Sequence, residues 1–591
     1  MDQTTPPKES PPARRPRRPA NLPYGSWLGD FEGLTKPEEA LVDACKRGEW
    51  CELNDGERPE ASQPACTIRA GLVRFLLLGG DAEHPVHSAG VRLLGAWIGG
   101  DLDLTAISTP LELWLWNCRI AEPIVARSAS IGSLGLQGCQ IADLKGDGIK
   151  VNGGVFLRNG FAATGEVRLL GAEIGGDLDC SGGLFSNTDG DALNADRVKV
   201  TGSVFLRDGF AATDEVRLLG AEIGGSLYCT GGKFINADGK ALSADGIRVT
   251  GDVFLREGFA ATGEVRLLGA EIGGALDCSD GNFTNACRRA INGDGCRVIN
   301  GLLLRGAHVT GAIDLAAASV GTLVDHGFDW HGGGHFLDGF AYDQLVGTTD
   351  GHQRIAWLRS QQKDQLDHRN FKPQPWEQLI AVLRAMGHPH EATKVAIAKQ
   401  DQMRKAGKIG KPGSLWQWPE NVFHILFRVL AGYGHRPAWT VVWLIGVWIV
   451  SSFAFYAGRD AGFFGPSSAV IEMSALHQAC GAPGDRQPGS LDPRHPGHLL
   501  PGPPKAHWTS PACPLPPEYT TLQPALYSLD LILPVINLQQ DGDWAPIVAR
   551  SDGSPLFWGH ALRGLVWFEI LFGWITSLML AAVVANLVRK D

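Results

Sequence analysis

The sequence predicts a mainly β chain: a right-handed parallel β-helix, or solenoid, with helical caps and a helical connector, followed by a two-span α-helical membrane module with a re-entrant helix. Three observations predict it. The words "EVRLLGAEIGGDLDC", "EVRLLGAEIGGSLYC" and "EVRLLGAEIGGALDC" begin at Glu166, Glu215 and Glu264, 49 residues apart. The chain holds 76 glycines in 591 residues without a collagen triplet, a composition that suits a turn-rich repeat and not a helical one. Two apolar stretches, Ala438 to Ala457 and Leu565 to Val588, are long enough to cross a bilayer.

The chain exceeds one ordinary domain, and its net charge of −10 argues against a dedicated nucleic-acid binder. Residues 1–23 are Pro- and Arg-rich with no apolar core, which predicts a disordered basic tail and no signal peptide, so the bulk of the chain is expected in the cytoplasm. Residues 24–84 are assigned to a helical amino-terminal cap. In it "KPEEALVDACKRG" closes at Gly48 and "TIRAGLVRFLLLGG" starts from a Thr67 cap.

The solenoid is expected over residues 85–325. Aligning "IGGDLDC" with "VTGSVFL" makes Val151, Ile174, Val200, Ile223, Val249, Ile272, Val298 and Val320 equivalent, one coil per 22 to 26 residues. Short alternating segments between Gly-Gly and Asp-Gly turns fit strands that stack about 4.8 Å apart. Cys180, Cys229 and Cys278 share one phase and should stack inside. Ten of the twelve cysteines precede residue 300 with no zinc spacing, as core thiols of a reducing compartment would. Arg168, Arg217 and Arg266 form one ladder, and Arg158, Arg207, Arg256 and Arg305 another. Either could grip an acidic partner or nucleic acid, but a solvated face balanced by Glu173, Glu222 and Glu271 is the simpler reading. These coils resemble pentapeptide-repeat and bactofilin-like β-solenoids. The pentapeptide-repeat resemblance also admits a gyrase-binding DNA mimic.

Residues 326–415 read as a helical connector, with a helix hairpin turning at Gly387 and Pro375 near a helix start. The blocks "LDGFAYDQL", "PQPWEQL", "GHPHEATKVAIAKQ" and "GYGHRP" resemble a bacterial family often labelled membrane-associated oxidoreductase. That label implies a redox cofactor, yet no GxGxxG after a strand, phosphate loop, redox CxxC, GxSxG or HExxH is present, so no cofactor and no catalytic residue is assigned. His326, Asp329, His331 and His335 in "DHGFDWHGGGHF" could hold a metal or simply form a loop that closes the solenoid, and no metal site is assigned.

The membrane module is assigned to residues 416–591: a surface helix at 416–431, a span at 438–457, an external loop at 458–564 and a span at 565–588. Arg428 and Arg436 before the first span, with Arg589 and Lys590 after the second, place both chain ends in the cytoplasm. The loop would then be external, where Cys480 and Cys513 either form a disulfide or remain two thiols. Within it, "ALYSLDLILPVINL", residues 525–538, is too short to span and carries an acid and a proline. It reads as a re-entrant segment or as an external amphipathic helix on the bilayer surface.

With the following "DGDWAP", this order resembles a two-span pore-loop channel, which implies a homo-oligomer, a tetramer by that resemblance. Its pathway groups would be Tyr527, Ser528, Asp530, Pro534, Asn537, Asp541, Asp543 and Glu569. The filter position holds Pro534, Val535, Ile536, Asn537 and Leu538 instead of glycines, which disfavours potassium selectivity. Glu569 could equally be an interfacial acid pairing with Arg563. The sequence thus predicts a bacterial inner-membrane protein in contact with lipid, whose solenoid docks an unidentified cytoplasmic protein or ligand and regulates a cation pathway. A membrane-anchored scaffold and an oxidoreductase are the alternatives.

Overall fold

The computed structural model describes residues 27–588 apart from 32, 189, 331–333, 368–369, 409–416, 473, 475–476 and 496–497, so the basic tail lies outside the described residues. The chain divides into two units, Met1–Ala406 and Gly407–Asp591.

The first unit is a stack of coils built from two parallel ladders, of 20 and 17 strands. A coil contributes two short strands to each, as Lys150–Val151 and Val155–Phe156 do to one and Ala162–Ala163 and Val167–Arg168 to the other. Alternation of buried and outward residues along these strands sets the register. Val151, Ile174, Val200, Ile223, Val249, Ile272, Val298 and Val320 lie directly over one another, as the repeat alignment requires. Inside, Cys180, Cys229 and Cys278 alternate with Leu157, Leu206, Leu255 and Leu304, all buried. A second buried column, Phe161, Phe185, Phe210, Phe234, Phe259 and Phe283, stacks ring on ring at 5.2 to 5.3 Å.

The coils extend beyond 85–325. Cys51–Glu52 pairs with the strand at Val91–Leu94, and Thr67–Arg69 with Trp97–Gly99. Thr67 therefore belongs to a strand and does not cap helix α2 (Ala70–Leu77). Arg69 stands at that position, its N–H and guanidinium both held by the buried Glu38 of helix α1 (Lys36–Arg47). Helix α1 ends at Gly48, whose φ of +72° is the left-handed cap that glycine adopts without strain. At the other end Ala341–Val346, predicted as connector, is a strand on Ser319–Val324. Its buried Tyr342 and Leu345 cover the last coil.

Helix α3 (Gly351–Arg359) is locked there by Arg354, whose guanidinium makes a two-point pair with Asp325 at 2.5 and 2.8 Å. Trp330 donates to the same carboxylate at 2.8 Å. Short α4 (Lys363–Leu366) leads to the hairpin of α5 (Gln374–Ala385) and α6 (Pro389–Lys405), which turns at Gly387.

In the second unit, α7 (Gln417–Ala431) exposes Val422, Phe423, Ile425, Leu426 and Val429 and turns through Gly432 and Gly434, both at positive φ, into α8 (Pro437–Asp460). After α9 (Ala469–Glu472) come α10 (Pro524–Ile532), α11 (Gln540–Asp543) and α12 (Phe557–Val588). Helices α8 and α12 are each long and apolar enough to cross a membrane, and they leave residues such as Val450, Phe453, Leu571 and Leu578 exposed. The segment between them carries two small sheets and a disulfide joining Cys480 to Cys513, Cα atoms 6.0 Å apart.

Candidate functional site

Helix α10 starts with Pro524 in its first turn, where the missing N–H costs nothing, and ends at Leu533, immediately before Pro534. Its nine residues are shorter than the predicted 525–538 segment; residues 533–538 form a turn instead. The helix packs against both α8 and α12. Tyr527 is buried edge-to-face between Phe455 and Phe464, at 5.1 and 5.3 Å. The Trp448 indole of α8 donates to Ala525 O at 2.9 Å. At Gly573 of α12 an added Cβ would stand 2.1 Å from Ile532 O, so only glycine lets α12 approach the end of α10 this closely.

Three carboxylates organise the turn. Asp530, at 7% exposure, accepts from the N–H groups of Leu538, Gln540 and Asp541 at 2.6, 2.8 and 3.1 Å. It thereby folds residues 533–541 back beneath the helix. Asp543 accepts from Thr520 N–H at 2.7 Å. Asp541 is exposed as a residue, yet partial desolvation of its carboxyl and then the neighbouring Asp530 carboxylate push that carboxyl above its usual range. In α12, Glu569 is fully buried, and Ser528 Oγ of α10 donates to it at 2.6 Å. The buried Ser451 of α8 also lies against it. Of the two alternatives for Glu569, the pairing with Arg563 is not seen; Arg563 donates to Pro546 O at 2.8 Å, while Glu569 is held by Ser528.

Of the residues predicted to line a pathway, Tyr527, Ser528, Asp530 and Glu569 are therefore buried in packing, and Pro534 and Asp543 are half-buried. Asn537 and Asp541 are exposed, beside Val535 at 91%. Sequence reasoning missed Ser451, Gln540, Thr520, Trp448 and Gly573, which hold these groups in place. Their partners lie from 10 residues away along the chain, for Gln540 and Asp530, to 569 − 451 = 118, for Ser451 and Glu569.

On the solenoid, the arginine ladders are balanced by aspartates and not by the predicted glutamates. Arg168, Arg217 and Arg266 pair with Asp147, Asp196 and Asp245 at 2.5, 2.6 and 2.7 Å. Arg158 and Arg256 pair with Asp179 and Asp277 at 2.8 and 2.9 Å. Each pair joins adjacent coils, 21 residues apart. Glu173, Glu222 and Glu271 serve Lys150, Lys199 and Arg248 instead, because the register sets them side by side.

His335 is a buried core histidine, its Nδ1 facing Ile313 N–H and its Nε2 2.5 Å from Trp330 O; His331 lies outside the described residues. Among the described residues no group of three or more His, Cys, Asp or Glu is placed to hold a metal. Burial raises the solenoid thiols, Cys45 and Cys296 to about 12 and Cys51 to about 11, so they stay protonated at neutral pH. Compared with protein-family models, with curated proteins and with solved structures, the chain finds no match.

Proposed function

We propose that the protein is a channel-like, multi-pass protein of the bacterial inner membrane. Its second unit self-associates around a cation pathway, and its solenoid, on the cytoplasmic side with both chain ends, docks a partner. The observation that carries this reading is α10: a short helix packed on both apolar helices, whose C-terminal turn projects Val535, Ile536 and Asn537 away from the packing. A turn so placed is covered in an oligomer, where it faces the shared axis. In this reading Asn537 and Asp541 are the pathway groups, and Tyr527, Ser528, Asp530 and Glu569 form the frame that aims them. The turn lacks glycines that would let a ring of carbonyls face an ion, so the cations passed are not selected as potassium is. Purified protein in planar bilayers should give discrete currents whose cation preference falls in Asp541→Asn. Silence from protein shown to be folded and oligomeric removes the reading.

A second reading is a tethered scaffold, favoured by one observation: Asp530 and Glu569 already have partners within a single chain. It predicts that exchanging α8 to α12 for an unrelated membrane anchor leaves function intact.

A further inference from the structure

Helix α7 presents its apolar side outward and its polar side inward, the reverse of a surface helix in water. Val422, Phe423, Ile425, Leu426 and Val429 fall within one arc of about 160° at 3.6 residues per turn, and all five are exposed, at 37 to 54%. The opposite arc carries Glu420, Asn421 and His424, which are half-buried. The His424 ring lies 6.4 Å from that of Tyr433 in the turn that follows. What the stripe meets is therefore not the helix's own neighbours in the chain.

The elbow after α7 continues this apolar face into α8. Val429 O and Leu430 O, in the last turn of α7 where carbonyls lack helical partners, accept from the Trp443 indole at 3.1 Å and the Thr440 hydroxyl at 3.0 Å. Two side chains of α8 thus fix where α7 ends. Trp439, Val441, Val442 and Trp443, at the start of α8, are exposed as well, and tryptophans so placed are those of a membrane–water boundary. Arg436 lies beside Trp439, 5.9 Å from its ring, and no carboxylate of the described residues pairs with it. Arg428 is exposed at the rim of the α7 stripe. From Gly407 to Gly458 the sequence carries Lys408, Lys411, Arg428 and Arg436 against one acid, Glu420, in a chain whose net charge is −10.

We propose that α7 lies in the interface of the leaflet where α8 begins, with its stripe among the acyl chains and Arg428 and Arg436 on anionic phospholipid headgroups. An amphipathic helix with a basic rim settles at this depth, because the stripe leaves water while the guanidiniums stay hydrated and meet phosphate. A lipid surface fits better than a second copy, since the apolar face does not stop at α7 but runs on into a helix long enough to cross the bilayer. This assignment deepens the membrane reading proposed above and rests on it, and its test carries a second probe in α12, so the two fail separately.

The test is photocrosslinking in the full chain, reconstituted in nanodiscs of equal phosphatidylcholine and phosphatidylglycerol. p-Benzoylphenylalanine replaces Leu426 in one sample and the exposed Leu578 of α12 in another. Lipid adducts are expected at both positions. At Leu426 those of phosphatidylglycerol should exceed those of phosphatidylcholine about fivefold, the effect of one nearby arginine, and Arg428→Gln with Arg436→Gln should bring the two toward equality. Lipid adducts at Leu578 with only protein crosslinks at Leu426, to the same chain or to a second copy, overturn the inference and leave the membrane reading standing. No lipid adduct at either position overturns both. Equal adducts of the two lipids at Leu426 in the otherwise unaltered chain, or an excess that persists in the folded double variant, overturn the headgroup assignment.

Discussion

In the solenoid unit the buried acids Glu38, Asp196, Asp277, Asp314 and Asp325 each meet an arginine. In the second unit, among the described residues, the buried acids Asp485, Asp530 and Glu569 meet only N–H and O–H donors. Most solenoid arginines reach water with part of their surface, so a pair forms there without stripping both ions. Beside apolar helices a second full charge would itself need burying, and short hydroxyl and amide contacts satisfy a carboxyl at lower desolvation cost.

The sharpest test of this contrast is its exception, the pair Arg354 and Asp325, at 1% and 2% side-chain exposure. Arg354→Ala leaves a buried carboxylate with the Trp330 N–H but without its counter-charge and should cost about 3–5 kcal/mol. Replacing both partners with apolar residues, Arg354→Met with Asp325→Leu, should recover most of it. Denaturant unfolding followed through Trp330 and Trp357, whose rings are 5.2 Å apart beside this pair, reads both variants.

Next in size is the redox difference between the units. Reducing the Cys480–Cys513 bridge, which closes a separation of 33 residues, should destabilise the segment between α8 and α12 by about 2–4 kcal/mol. The solenoid, with its buried free thiols, should be unmoved. Limited proteolysis with and without reductant distinguishes them, and native-state maleimide labelling should leave Cys180, Cys229 and Cys278 unmodified.

Asp530→Asn replaces an acceptor of three N–H groups by an amide that presents donors to some of them. It should loosen residues 533–541 by about 1.5–3 kcal/mol, seen as faster hydrogen exchange of that turn while α10 itself stays protected.

A smaller effect separates pH responses. Burial alone would raise the Asp81 carboxyl, but the Leu28 N–H, the His84 ring and the N–H groups of His84 and Glu83 bring it down to about 2 from an ordinary 3.8. The folded value is the lower one, so its contribution is present above pH 3.8 and is lost as pH falls through 2. Acid titration should release Leu28–Asp30 in that window, with a change in Trp27 emission. The smallest effect is expected from Lys150→Ala, which breaks a pair exposed on both sides and should cost under about 1 kcal/mol.

Much of the coil was legible because its signal is local: glycine turns and alternating residues recur every half-repeat, and the aligned valines and isoleucines proved to be register partners. The phenylalanine column was not legible. Phe161 and Phe185 sit in different words of the repeat, and only the pairing of Ala162 and Ala163 with Leu184 and Phe185 brings the rings together. The first coil is not legible because Cys51–Glu52 and Thr67–Arg69 carry none of the repeated words, so both fall in the segment assigned to the helical cap, Thr67–Arg69 at the start of its second helix.

The sequence by itself determined that this chain builds a coil of 22 to 26 residues and two apolar helices, since periodicity and hydrophobic length are properties of neighbouring residues. Which donor each carboxylate meets was decided only by the tertiary structure. Ser528 finds Glu569 across 41 residues and Arg354 finds Asp325 across 29. Hydrogen bonds act over about 3 Å, and no pattern along the chain specifies which distant groups packing brings that close.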